Sequence, residues 1–125
     1  MTLEVVSLTK VDLTEANLLC DFYGPLLTDH QCHIWQLYFQ ENWSLAEISD
    51  LQKVSRAAVA DVLDRTAHLL IDFESKLGLI AAMRQRQTQL GHLLALLQQM
   101  APSALGVEAL TVARDLALEE GLSDV

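Results

Sequence analysis

Glycine and proline are scarce in this chain, at five and two of 125 residues, and only seven side chains are aromatic. A sequence so poor in turn-forming residues, and so rich in Leu, Ala, Gln and Glu, suits helices rather than a many-stranded β fold. Two cysteines cannot build a disulfide framework, so a reduced compartment, the cytoplasm, is the expected location. Long apolar runs are missing too. The longest stretch without a polar residue is Leu77 to Met83, far below the roughly 18 residues of a membrane span, so no membrane partner is expected. The start, MTLEVVSLTK, carries Glu4 and lacks the basic head and apolar stretch of a signal peptide. There is no glycine-rich phosphate loop, no nucleophile motif and no carboxylate pair beside a histidine, so neither catalysis nor a cofactor is expected.

Positive charge is the last shortage. Eight Lys and Arg face 17 Asp and Glu, a net charge of −9. Divided after Thr66, the two parts carry −6 and −3, so neither part is basic. Such a surface repels phosphate backbones and anionic membranes unless the charge is locally reversed. What is present is apolar material: 51% of residues are hydrophobic, ample for the core of one small domain.

Capping chemistry marks where helices begin, because the N–H groups of a first turn need acceptors. Thr14 is a candidate N-cap, with Leu13 and Leu18 placed to close a hydrophobic staple, and the helix should end at Gly24-Pro25. Thr28 with Gln31 forms a capping box that opens a second helix through Ile34, Leu37 and Tyr38. Ser44 with Glu47 forms another, with Trp43 and Ile48 as its staple. Ser55 caps a fourth helix, with Val54 and Val59 as the staple pair. The third helix, about 45–51, is very short, and only a few residues separate it from Ser55. Ser49 is small where two helices would cross, among the apolar Ile48, Val54, Val59, Val62 and Leu63. This is the pattern of a helix-turn-helix, rather than an ordinary helical hairpin.

Beyond Arg65 the apolar positions Leu69, Leu70, Phe73, Leu77 and Ile80 continue at steps of three and four, with Gly78 able to end or weaken the helix. After the polar stretch Arg84 to Gln89, a seam of Leu90, Leu94, Leu97 and Ala101 resumes. Pro102-Ser103 breaks the chain, and Ser103 could cap a last helix running to about Glu120. The expected architecture is all-α: a 1–13 extension, a helix-turn-helix bundle over 14–68, and long amphipathic helices over 69–125. Two such helices cannot bury both apolar stripes on a small bundle alone, so homodimerisation through about 69–117 is expected; the rival is an intrachain hairpin.

Several stretches carry a further likeness, and the DFY and LLT-x-x-Q elements among them are more specific than the motif. These stretches are NLLCDFY from Asn17 to Tyr23, LLT-x-x-Q from Leu26 to Gln31, Leu37-Tyr38-Phe39 and Ser44-Leu45-x-Glu47-Ile48. Val54-Ser55-Arg56-x-Ala58-Val59-x-Asp61, Arg65-Thr66 and Phe73-Glu74-x-Lys76-Leu77 continue the series. Over roughly residues 14–85 the chain thus resembles the YlxM family of small bacterial helix-turn-helix proteins, which is similar in fold to sigma factor region 4. The resemblance implies a regulatory protein encoded beside signal recognition particle genes, with a part in that targeting pathway and a nucleic-acid-binding role. Three positions depart from the pattern: Ser49 replaces the usual support-helix alanine, Lys53 the turn glycine, and Ala57 a polar glutamine. From about residue 86 onward, and over 1–13, nothing carries over.

The candidate contact residues for nucleic acid or a partner are Lys53, Ser55, Arg56, Ala57, Ala60, Asp61, Asp64 and Arg65. Arg56 suits guanine or phosphate and Ser55 a phosphate, while Ala57 and Ala60 can touch only a thymine methyl. Asp61 and Asp64 oppose DNA, and Arg65, four residues after Asp61, forms a local pair with it. Asp64 finds no permanent cation at that spacing, since residue 68 is histidine. Three cations against two carboxylates argue for weak contact with DNA or RNA, and for use of the same surface by a protein partner such as a signal recognition particle component. His30, Cys32, His33 and Cys20 are the nearest approach to a metal set, but zinc wants four tetrahedral ligands and both cysteines read as core. The aromatics Trp35, Trp43, Tyr23, Tyr38, Phe22 and Phe39 read as core, the alternative being an exposed patch of Trp35 and Phe39.

Overall fold

The structure, a computed structural model, describes residues 11–100 and 104–122. Six α-helices and no strand occur among these residues, and the chain divides after Gly78 into two compact units. In the first unit, α1 spans Leu13–Tyr23, followed by a single 3-10 turn, Gly24–Leu26, with Pro25 inside it. Then come α2 (Asp29–Phe39), α3 (Leu45–Gln52) and α4 (Arg56–Leu77).

Three of the four helix starts follow the capping chemistry of the sequence. Gln31 N–H donates to Thr28 Oγ1 and Thr28 N–H to Gln31 Oε1, at 3.1 and 3.0 Å. Ser44 and Glu47 repeat the reciprocal pair, and Ser55 Oγ accepts from Ala58 N–H. The first start lies two residues earlier than expected. Asp12, not Thr14, is the N-cap, accepting from Glu15 N–H at 2.7 Å, and Thr14 lies in the first turn. Asp caps better than Thr, and its charge complements the positive end of the helix. The staple positions shift with the cap: Val11 and Ala16 are buried there, while Leu13 is 58% exposed.

The core of this unit is built from Tyr23 and Leu19 of α1, Ile34 and Trp35 of α2, Ile48 of α3, and Val59, Leu63, Thr66 and Leu70 of α4. Trp35 is fully buried rather than part of an exposed patch; its indole N–H donates to the Ala16 carbonyl, and its ring packs on Phe39. Tyr23, also fully buried, donates its hydroxyl to Glu74 and so ties the end of α1 to the last turns of α4. Thr66 satisfies its buried hydroxyl on the Val62 carbonyl one turn back. Phe22, Tyr38, Phe39 and Trp43 are half-buried.

Cys20 is buried, and Cys32 is half-buried. Burial first, then the neighbouring Cys32, pushes the Cys20 thiol up from 9.0 to about 11. An acid whose folded value lies above its unfolded one stabilises the fold fully below the unfolded value and stops doing so as pH rises through the folded one. Stability should therefore decline between about pH 9 and 11, and Cys20→Ala should flatten that decline in urea titrations at stepped pH.

α4 runs unbroken through residue 68 and ends at Gly78, which adopts φ 63° and whose N–H bonds the Glu74 carbonyl. Leu77 and Ile80 therefore lie on different helices rather than on one continuing stripe. A methyl group on Gly78 would meet nothing within 4 Å, so Gly78→Ala tests backbone strain alone. The expected loss is about 1–2 kcal/mol, read from the urea midpoint of the alanine variant.

The second unit pairs α5 (Leu79–Gln98) with α6 (Ala104–Glu119). Arg84 to Gln89 lie inside α5, while Pro102 and Ser103 lie outside the described residues. Leu94, Ala113 and Ala117 form a small core, with Leu90, Leu97, Leu110 and Leu122 packed against it. The alanines let the helix axes approach closely. Arg86, near the start of α5, pairs with Glu120 just past α6, so the helices run antiparallel within one chain. Within the chain the two helices pack on each other through this small core. This packing leaves an apolar face uncovered: Leu93 and Leu96 on α5, Met100 just past its end, and Leu105, Val112 and Leu116 on α6, are 43–76% exposed.

Candidate functional site

Only three residues join α3 to α4, and the chain can reverse in that space because Lys53 adopts the left-handed conformation, φ 58° and ψ 42°. Its N–H and that of Val54 both donate to the Ser49 carbonyl, closing the helix end. Glycine would hold this shape without the side-chain strain, which is about 1–2 kcal/mol for other residues. Lys53→Gly should therefore raise stability by about 0.5–1 kcal/mol, the strain relief less the extra chain entropy of glycine, seen as a melting temperature a few degrees higher. At the helix crossing, Ser49 is buried and returns its hydroxyl to the Ala46 carbonyl, while Ile48 meets no solvent. Two hydrogen bonds from Ser44, the backbone one foremost, hold the exposed Glu47 carboxyl below its usual range.

The surface that α3 and α4 present is smaller and less polar than the residue types suggest. Lys53, Ser55, Arg56 and Ala57 are exposed and adjacent at the turn and the start of α4. Ala60, expected on the outer face, is 2% exposed and packs into the core beside Val59. The α4 register set by Val59, Leu63 and Thr66 turns position 60 inward, on the wide buried face of this helix. Asp61 and Arg65 bond at 3.0 Å, so the carboxylate neutralises the cation. Asp64 is half-buried, with Oδ1 shut away from solvent and Oδ2 3.7 Å from His68 Nδ1. At that spacing Asp64 thus meets a histidine and no lysine or arginine. The nearer bond of the same nitrogen, 2.9 Å, goes to the Asp64 carbonyl.

Two residues belong to this surface that the pattern assigns elsewhere or passes over. Leu51 and Val54 are 50% and 48% exposed, on either side of Lys53. Val54 therefore stays largely in solvent instead of being sequestered as a staple. A signal existed, since two apolar residues within four positions of a tight turn rarely both reach the core; the period of so short a helix did not resolve it. Among the described residues, Lys53 and Arg56 have no acid within ion-pair distance. Elsewhere His30 and His33 are exposed, and no group of three or more His, Cys, Asp or Glu is arranged to hold a metal among the described residues. No described helix is long and apolar enough to cross a membrane.

A short support helix, a left-handed turn and a serine-capped second helix define a helix-turn-helix protein. The UPF0122 family, described as "Putative helix-turn-helix protein, YlxM / p13 like", matches residues 11–104, and the chain belongs to it. The match reaches well past residue 86, into α5, where the motifs had ended. The chain is 44% identical over 68 residues to a UPF0122 protein of Clostridium novyi, covering 54% of this chain and 59% of that one. It is 43% identical over 75 residues to one from Symbiobacterium thermophilum, covering 60% and 70%. It is 48% identical over 69 residues to one from a Thermoanaerobacter species, covering 55% and 59%. The chain thus spans about three fifths to seven tenths of the length of these relatives. The family is thus described by its helix-turn-helix.

Proposed function

We propose that this chain is a non-catalytic regulatory protein that uses the turn between α3 and α4 to bind a protein partner. Its proposed setting is the cytoplasm and the signal recognition particle pathway, as the likeness to YlxM proteins implies. The supporting observation is the composition of the turn: Leu51 and Val54 expose apolar surface around Lys53 and Arg56. A protein groove rewards that mixture, since burying apolar area adds about 25 cal/mol per Å². A phosphate backbone rewards cations and hydrogen-bond donors but not exposed apolar side chains, and strong binders make roughly six to ten cationic contacts. Tagged protein should capture the particle's GTPase from cytosol of the source organism with or without nuclease, and Val54→Asp should abolish the capture. Capture that disappears on nuclease treatment would overturn this reading.

The second reading is a dimeric, sequence-specific DNA-binding regulator. It is favoured by the exposed start of α4, where Ser55 and Arg56 are placed as in a recognition helix, and by the uncovered face of the α5–α6 hairpin. Under it, Arg56→Ala should weaken binding by about 1–3 kcal/mol, and affinity should fall steeply with salt in gel-shift titrations. An unchanged affinity, or no shift with genomic fragments at low salt, would remove it.

A further inference from the structure

Outside the α3–α4 surface, one pair of reactive groups is brought together by the fold. Cys20, in the last turn of α1, and Cys32, near the start of α2, are both free thiols. They meet across Gly24: a methyl placed there would lie 3.4 Å from one sulfur and 3.9 Å from the other. Cys32 lies close enough to help burial push the Cys20 thiol up, and the Gln36 side chain, one turn beyond Cys32, lines the same wall. Both line an open cavity of about 440 Å³ with Asp21, Asp29 and Gln36. Cys32 is half-buried at its wall, whereas Cys20 is 6% exposed behind it. One accessible sulfur backed by a buried second one is the arrangement of an attacking and a resolving cysteine.

We propose that Cys20 and Cys32 form a modification site, at which a small peroxide entering the cavity is reduced and an intrachain disulfide is formed. The Cys32 thiolate attacks one peroxide oxygen; the S–O bond forms, the O–O bond breaks, and the departing hydroxide takes up the thiol's proton as water. Cys20 then attacks the Cys32 sulfur of the sulfenic acid. The S–S bond forms, the S–O bond breaks, and the Cys20 proton leaves with the hydroxide as a second water. Two thiols are oxidised by two electrons, and one hydrogen peroxide is reduced to two waters. The bridge joins the end of α1 to the start of α2, and an excess of dithiol reverses it. The site is independent of what the α3–α4 turn binds.

The test is intact mass of the full chain after equimolar hydrogen peroxide at neutral pH, followed by unfolding in excess alkylating reagent. Untreated protein should take up two alkyl groups. Oxidised protein should take up none, weigh about 2 Da less than the reduced chain, and migrate as a single chain on a non-reducing gel. Cys20→Ser should leave Cys32 as a sulfenic acid trapped by dimedone, and Cys32→Ser should leave Cys20 alkylatable at the same peroxide dose, with helicity checked in both. The proposal is overturned if both wild-type thiols survive a dose that consumes free cysteine. Disulfides between chains, or Cys32 carried to the sulfinic acid with Cys20 still free, would also overturn it.

Discussion

Replacing Trp35 by alanine should cost about 3–5 kcal/mol and leave the first unit near or below the limit of folding. The effect is large because several losses coincide at one position. The side chain meets no solvent, and it is the largest of the fully buried ones. Its removal leaves a cavity among Ile34, Leu19 and their neighbours, which helices held by four capped starts can collapse only in part. Its indole N–H also links α2 to α1 through the Ala16 carbonyl, a bond that no alanine replaces. Urea unfolding followed by circular dichroism is the measurement. Trp35→Phe should lose distinctly less, because the ring volume is largely kept. A Trp35→Ala variant within 1 kcal/mol of the natural protein would mean that the core is not centred here.

The second large effect concerns the hairpin of α5 and α6. If its uncovered leucines meet a second copy of the chain, Leu93→Glu with Leu116→Glu should weaken association at least about 100-fold, because burying an unpaired carboxylate costs several kcal/mol. Both side chains line one groove beside the Arg86–Glu120 pair, so the two substitutions strike a single face. Both are already 43–46% exposed within the chain, so helix content should hardly change. Light scattering over a range of concentrations decides the matter. The natural protein should shift from monomer to dimer as it is concentrated, and the double variant should remain a monomer. A natural protein that stays monomeric throughout would reject the dimer; an unshifted variant would place its contact elsewhere.

The cation count bears on both readings of function. The net charge of −9 describes the whole chain, and the structure shows how few unpaired cations the α3–α4 surface carries. Arg65 is spent on Asp61 and Asp64 turns back toward His68, so Lys53 and Arg56 stand alone beside two exposed apolar side chains. A fold used widely for nucleic acid thereby carries a turn with mixed apolar and cationic exposure, which the proposed protein contact would use, and the fold alone settles neither reading.

Much of the architecture was legible in the residues because it depends on neighbours in the chain. Thr28 with Gln31, Ser44 with Glu47, and Ser55 each satisfy backbone groups within three positions, so their spacing announces a helix start whatever packs above it. The short α3 and the tight turn follow from the same local chemistry, and with them the helix-turn-helix. Longer-range matters were not legible. Asp12 and Thr14 are both competent caps, and burial of Val11 and Ala16 selects the earlier one. Ala60 is small enough for either face, and its neighbours in the core draw it inward. Leu51 and Val54 carry the same apolar groups as core residues, and only the positions of the surrounding helices leave them in water. The meeting of Cys20 with Cys32 across Gly24 depends likewise on two helices crossing. Capping and turn formation draw on hydrogen bonds between adjacent residues, which a sequence states outright. Burial and pairing draw on surfaces that exist only once distant segments have packed.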